Sequence, residues 1–483
     1  MKVFLGNAPW KKGNRLGIRA GSRWPFTVES TGKVPGYLPF PFFLAYAAAV
    51  LEKNGIEVSL VDGIAEGIDT AAFINRIKQF GADLVLLETS TPSLSVDLST
   101  AREIKEACGC LVALSGPHVS ALFADVMKND FIDFILYGEY EYTLLDLAEH
   151  LSKNKSLDDV KGLVYRKGAE VKVNERRPLI ENLDELPWPA RHFLPMYNYN
   201  DEFAGMKKPN TQIWASRGCP YGCIFCLWPK VMYGSRKYRV RDPKKVVDEM
   251  EWLIGEYKFN SIYFDDDTFN IGKDRIITLA HEIKARGINV PWSIMASSTP
   301  MDRDMLVAMK DAGLVSLKYG VESGDQAIID GIHKGLNLEK LKAMVKETKA
   351  LGINVHLTFT FGLPGETWDS VRKTIDFALT QDPDSLQFSI CTPFPGTEYF
   401  DLADGKGFIS TKDWDMYDGG CNAIIRTEHM TSAELTEAYK LANETWERHV
   451  LGRRLRRDPL GSAFRGMAHP VRSARQLAGL LIK

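Results

Sequence analysis

Cys219, Cys223 and Cys226 lie in the run Arg217-Gly218-Cys219-Pro220-Tyr221-Gly222-Cys223-Ile224-Phe225-Cys226. Three thiolates at this spacing hold three irons of a [4Fe–4S] cluster and leave the fourth iron open to another ligand. With 7 cysteines in 483 residues, random placement gives such a triple with odds of roughly one in a thousand. Structural zinc is the competing chemistry, but it usually takes four Cys or His ligands, and the nearest histidines outside the run are the distant His192 and His281. A disulfide needs an oxidising compartment. The opening Met-Lys-Val-Phe-Leu-Gly-Asn carries no apolar leader region, so the thiols are expected to be reduced and the chain cytoplasmic.

The CxxxCxxC run, with Phe225 just before its last cysteine, resembles the signature of radical S-adenosylmethionine (SAM) enzymes. The resemblance implies that Cys219, Cys223 and Cys226 bind the cluster, that SAM chelates the open iron through its amino and carboxylate groups, and that Phe225 packs beside the adenine. Further positions resemble the family's SAM contacts. Asp266, in Asp265-Asp266-Asp267, is expected to serve the SAM amino group or the substrate side, unless the triplet is only a helix cap or an acidic turn. Glu322, in Gly320-Val321-Glu322-Ser323-Gly324, is expected near the ribose hydroxyls or the amino group, the alternative being a salt bridge to Lys318 or Lys334. Gly362 and Gly365, in Phe361-Gly362-Leu363-Pro364-Gly365-Glu366, resemble the turn against which adenine packs, the bland reading being a plain Pro-Gly turn. Ser297 is a candidate ribose contact. Cys391 reads as a small hydrophobe facing the substrate side.

The elements that must position these residues alternate between strand and helix patterns twice along the chain, which predicts two α/β units. Strands at 2–7, 58–61, 82–88, 111–115 and 131–137, with helices at 42–54, 70–80, 96–107, 120–128 and 142–153, predict a doubly wound, Rossmann-like parallel sheet over residues 1–155. A hairpin at 162–173 and a linker fill 156–205. Strands at 212–216, 261–265, 292–296, 315–319, 355–361 and 386–391, with five intervening helices, predict a partial, TIM-like (β/α)₆ barrel over 206–400, its site at the carboxyl ends of the strands. Residues 401–483 read as a helical region with a basic tail.

Ligands of doubly wound sheets sit beyond the strands' carboxyl ends. Here those ends carry Thr89-Ser90-Thr91, Gly116-Pro117-His118 and Gly138-Glu139-Tyr140-Glu141. They resemble the cobalamin-binding domain that precedes the barrel in the cobalamin-dependent radical SAM subfamily. The resemblance implies cobalamin contacts from Thr89, Ser90, Thr91, Gly116, His118, Gly138 and Glu139; a structural sheet that binds nothing is the alternative. The chain departs from many cobalamin domains in lacking a histidine after its first strand, where Gly6-Asn7-Ala8-Pro9-Trp10 stands, so cobalt is expected without a lower histidine ligand, and His118 at the corrin rim. A loop at 11–26 carries Lys11, Lys12, Arg15, Arg19 and Arg23, suited to phosphate or carboxylate groups or merely solvated.

At 45% hydrophobic, 25% charged and net charge −2, the composition is that of a globular protein and excludes wholesale nucleic-acid binding. The resemblance implies reductive cleavage of SAM and methylation of an unactivated carbon of a small molecule, with a reductant such as flavodoxin or ferredoxin. A cobalamin-linked cyclisation or rearrangement, as in relatives of the anaerobic magnesium-protoporphyrin ester cyclase, is the enzymatic alternative, and a redox-sensing iron–sulfur and corrinoid protein the non-enzymatic one. The tail, with Arg453, Arg454, Arg456, Arg457, Arg465, Arg472, Arg475 and Lys483 against Asp458, predicts either peripheral contact with an anionic inner-membrane surface or a solvated helix packing on the barrel, and with the basic loop it points to a lipid, isoprenoid, tetrapyrrole or phosphorylated substrate.

Overall fold

The computed structural model describes residues 1–12, 15–17, 27–29, 37–201 and 205–457. In the first unit, β1 (Lys2–Asn7), β2 (Glu57–Asp62), β3 (Leu84–Glu88), β4 (Leu111–Ser115) and β5 (Phe134–Leu136) run parallel in the order β5-β4-β3-β1-β2. The run Leu-Val-Leu-Leu-Glu of β3 is buried throughout, as befits a central strand covered on both faces. The faces are covered by α1 (Phe42–Lys53), α2 (Thr70–Phe80), α3 (Leu94–Cys108), α4 (Pro117–Ala121), α5 (Phe123–Val126) and α6 (Glu141–Ser152). Local chemistry sets these boundaries: the Asp69 carboxylate accepts the Ala72 N–H at the start of α2, and left-handed Gly81 ends it. Strand order reverses between β1 and β3, the point at which such sheets open a crevice at their carboxyl edge.

Two expectations change here. The helix expected at 120–128 is two short ones, α4 and α5, separated at Leu122, whose backbone leaves the helical region (φ −122°, ψ 37°). The hairpin forms as β6 (Leu163–Lys167) and β7 (Glu170–Val173), but β6 pairs antiparallel with β5, so the hairpin extends the first sheet to seven strands. Leu163, Val164 and Tyr165 are buried, and that burial draws the hairpin onto the sheet. The basic loop contains a small ribbon of Lys11–Lys12, Arg15–Gly17 and Thr27–Glu29; Arg19 and Arg23 lie outside the described residues.

The second unit contains β8 (Asn210–Ile213), a short antiparallel ribbon of β9 (Ser216–Arg217) and β10 (Arg239–Val240), and then β11 (Ser261–Phe264), β12 (Trp292–Ala296), β13 (Leu314–Glu322), β14 (Asn354–Phe361) and β15 (Ser385–Ile390). The six parallel strands run β8-β11-β12-β13-β14-β15 in sequence order, an open version of the barrel. Between and after them come α7 (Pro243–Tyr257), α8 (Lys273–Ala285), α9 (Arg303–Asp311), α10 (Gln326–Gly331), α11 (Leu338–Ala350), α12 (Trp368–Gln381), α13 (Glu398–Gly405) and α14 (Ser432–Arg457).

Helix α1 belongs to the first unit yet buries Phe42, Phe43 and Tyr46 against Trp214 of the second. Phe42 stacks on the indole at 4.2 Å and Phe43 meets it edge-on at 5.4 Å. Helix α14 packs back on the second unit through Leu435, Ala438 and Ala442, and Arg453 Nη1 donates to Asp382 Oδ1 at 2.9 Å. Arg453 of the basic tail is therefore engaged by protein, while Arg454 and Arg456 are exposed; residues 458–483 lie outside the described residues. Among the described residues no helix is long and apolar enough to cross a membrane.

Candidate active site

The cysteine loop, residues 218–238, is bracketed by the β9–β10 ribbon. Its first residue must be glycine. Gly218 sits at φ +95°, and a Cβ there would fall 2.2 Å from the Lys237 carbonyl oxygen. The Gly218 N–H donates to Asp267 Oδ2 at 2.8 Å, Ile224 donates its N–H to the Ile332 carbonyl, and the Tyr399 N–H returns to the Ile224 carbonyl. Three neighbouring segments of the second unit, two turns and the start of α13, thus hold the cysteines in place.

Cys219, Cys223 and Cys226 line a single cavity of about 190 Å³ with Phe225, Ser297 and Glu322. Among the described residues no three His, Cys, Asp or Glu side chains are grouped to hold one metal ion. A cubane takes each thiolate at its own iron corner, and three thiols lining one cavity fit that donor set. Burial pushes the Cys223 thiol up to about 11 and the other two upward as well. The nearby Lys334 ammonium opposes that burial at Cys219 and Cys223.

Lys334 is the residue that sequence reasoning underrated. It lines the cavity, and its Nζ donates to Glu322 Oε1 at 2.8 Å. Burial disfavours its charge, but Glu322 and Cys223 outweigh that, and the ammonium is held above its ordinary range. Glu322 itself has φ +74° and stands where the β13–β14 register shifts between Gly320 and Glu322. A bulge of this kind re-aims a side chain at a strand end, and here it turns the carboxylate toward the cysteines. The cavity therefore presents a cation, a carboxylate, a hydroxyl and an aromatic ring side by side. These groups are of the kinds that the carboxylate, amino, ribose and adenine groups of SAM would call for.

The structure separates other expected residues from the cavity. Asp266 is fully buried and faces the ribbon, accepting the Ala215 N–H at 3.3 Å and the Ser216 hydroxyl; its neighbour Asp267 lines the cavity instead. Gly362 and Gly365, at φ +84° and +80°, shape their turn without lining the cavity. That turn is organised by Glu366, whose Oε2 accepts the Gly362 N–H at 2.6 Å. Burial pushes the Glu366 carboxyl up to about 7, against the backbone donors that favour its ionised form.

At the carboxyl edge of the first sheet, Gly116 (φ +109°) brings its loop against the other: a Cβ there would lie 2.2 Å from the Thr89 carbonyl oxygen. Thr89, Ser90 and Thr91 are buried. Asn7, at the end of β1 beside the switch point, has a buried Oδ1 without a partner, a polar atom that a ligand at this edge would satisfy. His118 Nδ1 lies 3.2 Å from Thr91 Oγ1, and its ring meets Trp414 edge-on at 5.1 Å. Burial lowers it to about 4, so it is neutral near pH 7. Trp414 arrives from nearly 300 residues downstream and carried no sequence signal. Glu139 has both carboxylate oxygens engaged by Arg217, Arg239 and the Ile180 N–H. Gly138, at φ +77°, lies against Arg176 and the Met232 carbonyl. The small residues and unsatisfied amide of this edge fit cobalamin.

Residues 215–378 match the Radical SAM superfamily, and residues 31–148 the B12 binding domain. An uncharacterised methyltransferase of Pyrococcus horikoshii is 31% identical over 86% of this chain and 90% of its own length. The anaerobic magnesium-protoporphyrin IX monomethyl ester cyclase of Cereibacter sphaeroides is 28% identical over 82% of this chain and 65% of its own. The solved structure of TsrM from Kitasatospora setae, a radical SAM methyltransferase with cobalamin and a [4Fe–4S] cluster bound, shares the fold at a TM-score of 0.66 and 18% identity, covering 91% of this chain and 81% of that one. The chain belongs to the cobalamin-dependent radical SAM enzymes. Its cofactors are accordingly a [4Fe–4S] cluster, SAM and cobalamin.

Proposed function

We propose that the protein methylates an unactivated carbon of a small-molecule substrate, using SAM cleaved reductively at a cluster held by Cys219, Cys223 and Cys226. The observation that carries this reading is the single cavity in which the three thiols meet the Glu322–Lys334 pair and Phe225. When bound, the cluster, SAM and cobalamin supply the electron, the hydrogen-abstracting radical and the methyl carrier. The chain's own groups bind and orient. Lys334 would hold the SAM carboxylate, Glu322 the amino group or ribose, Ser297 the ribose, and Phe225 the adenine. Trp228, Met295 and Phe394 wall the same cavity with apolar surface, which keeps water from a reactive intermediate. Gly396, where a Cβ would fall 2.8 Å from the Ala121 Cβ, lets the barrel mouth close against α4 of the first unit. The mouth thereby lies beside the edge assigned to cobalamin.

The test is anaerobic reconstitution with methyl-labelled SAM, cobalamin and a reductant such as flavodoxin. 5′-Deoxyadenosine together with label in an organic product supports methyl transfer; 5′-deoxyadenosine without transferred label replaces it with cyclisation or rearrangement. Absence of 5′-deoxyadenosine from the reduced protein refutes the enzymatic reading.

A further inference from the structure

Two buried arginines stand directly opposite each other at the neck of the cysteine loop. Arg217 on β9 and Arg239 on β10 are register partners, and both are almost wholly buried. Like charges in such apposition repel, and burial leaves no water to screen them. The compensating anions come from the first unit. Glu139 Oε1 accepts from Arg217 Nη1 at 3.1 Å and Arg239 Nη2 at 2.8 Å, while Oε2 accepts from Arg239 Nη1 at 2.7 Å and the Ile180 N–H at 3.1 Å. Glu141 Oε1 adds an ion pair to Arg217 at 2.7 Å. As the first residue of α6, Glu141 also sits at the positive end of that helix's dipole. The Arg217 guanidinium lies 5.1, 4.9 and 5.0 Å from the rings of Phe43, Tyr46 and Trp214, two of them on α1.

We propose that Glu139 and Glu141 are positioning residues that, through Arg217 and Arg239, lock the neck of the cysteine loop to the first unit and so set the cluster's place relative to the cobalamin edge. This rests on the reading above that the loop carries the cluster. The lever is short: Arg217 is two residues from Cys219, at most about 7 Å of chain, so a shift at the neck passes to the cysteine. Each oxygen of Glu139 already accepts two hydrogen bonds, so its role is to join the two units rather than to bind a cofactor. Misplacement on the order of 1 Å can cost a positioned reaction roughly a hundredfold.

Glu139→Gln tests the proposal in three measurements. In the cofactor-free protein, hydrogen exchange across residues 218–238 should rise by about tenfold or more while β1 to β4 exchange as before. Hydroxocobalamin affinity should stay within about threefold of the parent, well under 1.4 kcal/mol. In the reconstituted protein, pulsed EPR between the reduced cluster and cob(II)alamin should show a broadened distance distribution with the cluster's own g-values unchanged. Unchanged loop exchange overturns the proposal, as does a loss of cobalamin affinity of about tenfold or more with an unchanged distance, which would make Glu139 a cofactor ligand. Should Glu139→Gln not fold, Arg239→Lys keeps the charge and removes the two-pronged contact, and it is judged by the same three results. Exchange in the cofactor-free protein is independent of turnover, so failure of the proposed methyl transfer and failure of this lock are separately visible.

Discussion

Replacing Glu366 by glutamine should make the protein more stable at pH 8 and leave it nearly unchanged at pH 5. The carboxyl is buried at the turn after β14, and burial moves it from its ordinary 4.5 to about 7. That displacement is worth roughly 3 kcal/mol. Between these two values the unfolded chain has released its proton while the folded protein still holds one. Unfolding in that window releases a proton, and rising pH therefore favours unfolding. The neutral carboxyl makes its full contribution below pH 4.5, and the contribution is lost as pH climbs to about 7. Glutamine cannot ionise and escapes this decline. Urea unfolding of the cofactor-free wild type and Glu366→Gln at pH 5 and pH 8 isolates the effect, because every other titrating group cancels in the difference. The variant should gain roughly 2–3 kcal/mol on the wild type between the two conditions. A difference independent of pH, or a variant that weakens relative to wild type at pH 8, would refute the assignment of a neutral, buried carboxyl to this turn.

The other outcomes can be stated briefly. Lys334→Met, which removes the cation beside Cys223, should weaken SAM binding to the reconstituted protein by roughly ten- to a hundredfold, the worth of one charge-assisted hydrogen bond; equilibrium dialysis showing less than about a threefold change would reject the carboxylate-binding role. Gly116→Val drives a side chain into the Thr89 carbonyl at a positive φ, so stability should fall by about 1–3 kcal/mol and cobalamin affinity with it, as measured by thermal unfolding and corrinoid titration. His118 behaves oppositely to Glu366. Burial lowers it from 6.5 to about 4, so its contribution is complete above pH 6.5 and is lost as pH falls toward 4. His118→Gln should flatten that acid-side loss of roughly 3 kcal/mol, and an unaltered acid limb in the variant's unfolding profile would count against a buried neutral ring.

The cysteine loop, the alternation of strands with helices and the position of Glu322 at a strand end were legible because each is a local pattern: fixed spacing, hydrophobic period, turn residues. What the sequence concealed depends on direction and on distant partners. In Asp265-Asp266-Asp267, just past the end of β11, the path of the turn decides that Asp266 meets the ribbon while Asp267 lines the cavity, which no local pattern reveals. Glu139 stands at the strand end where a cofactor contact is expected, but nothing local shows that two arginines some 80 and 100 residues downstream claim it. The Glu322–Lys334 pair was anticipated as a salt bridge, but Trp414 was hidden for the same reason as the arginines, reaching His118 from another domain.

The charged seam between the two units has its own logic. Besides the Glu139–Arg217–Arg239 set, Glu249 on α7 accepts from Arg191 at 3.2 Å and Arg241 at 2.6 Å, and Arg191 lies 4.3 Å from the ring of Phe40. Well-packed apolar residues would hold two surfaces together at least as firmly as buried ion pairs, so stability alone does not account for arginines here. Apolar surfaces, however, tolerate sliding. A shift of a few ångströms along this seam would carry Glu139 and Glu141 away from Arg217 and Arg239 in a dry interior, at a desolvation cost of several kcal/mol for each charge left unpaired. One docking geometry is thereby favoured over its neighbours. On the proposed reading, in which the second unit holds the cluster and the first the corrinoid, a fixed geometry between the units is the property the chemistry requires, and the buried charges favour it.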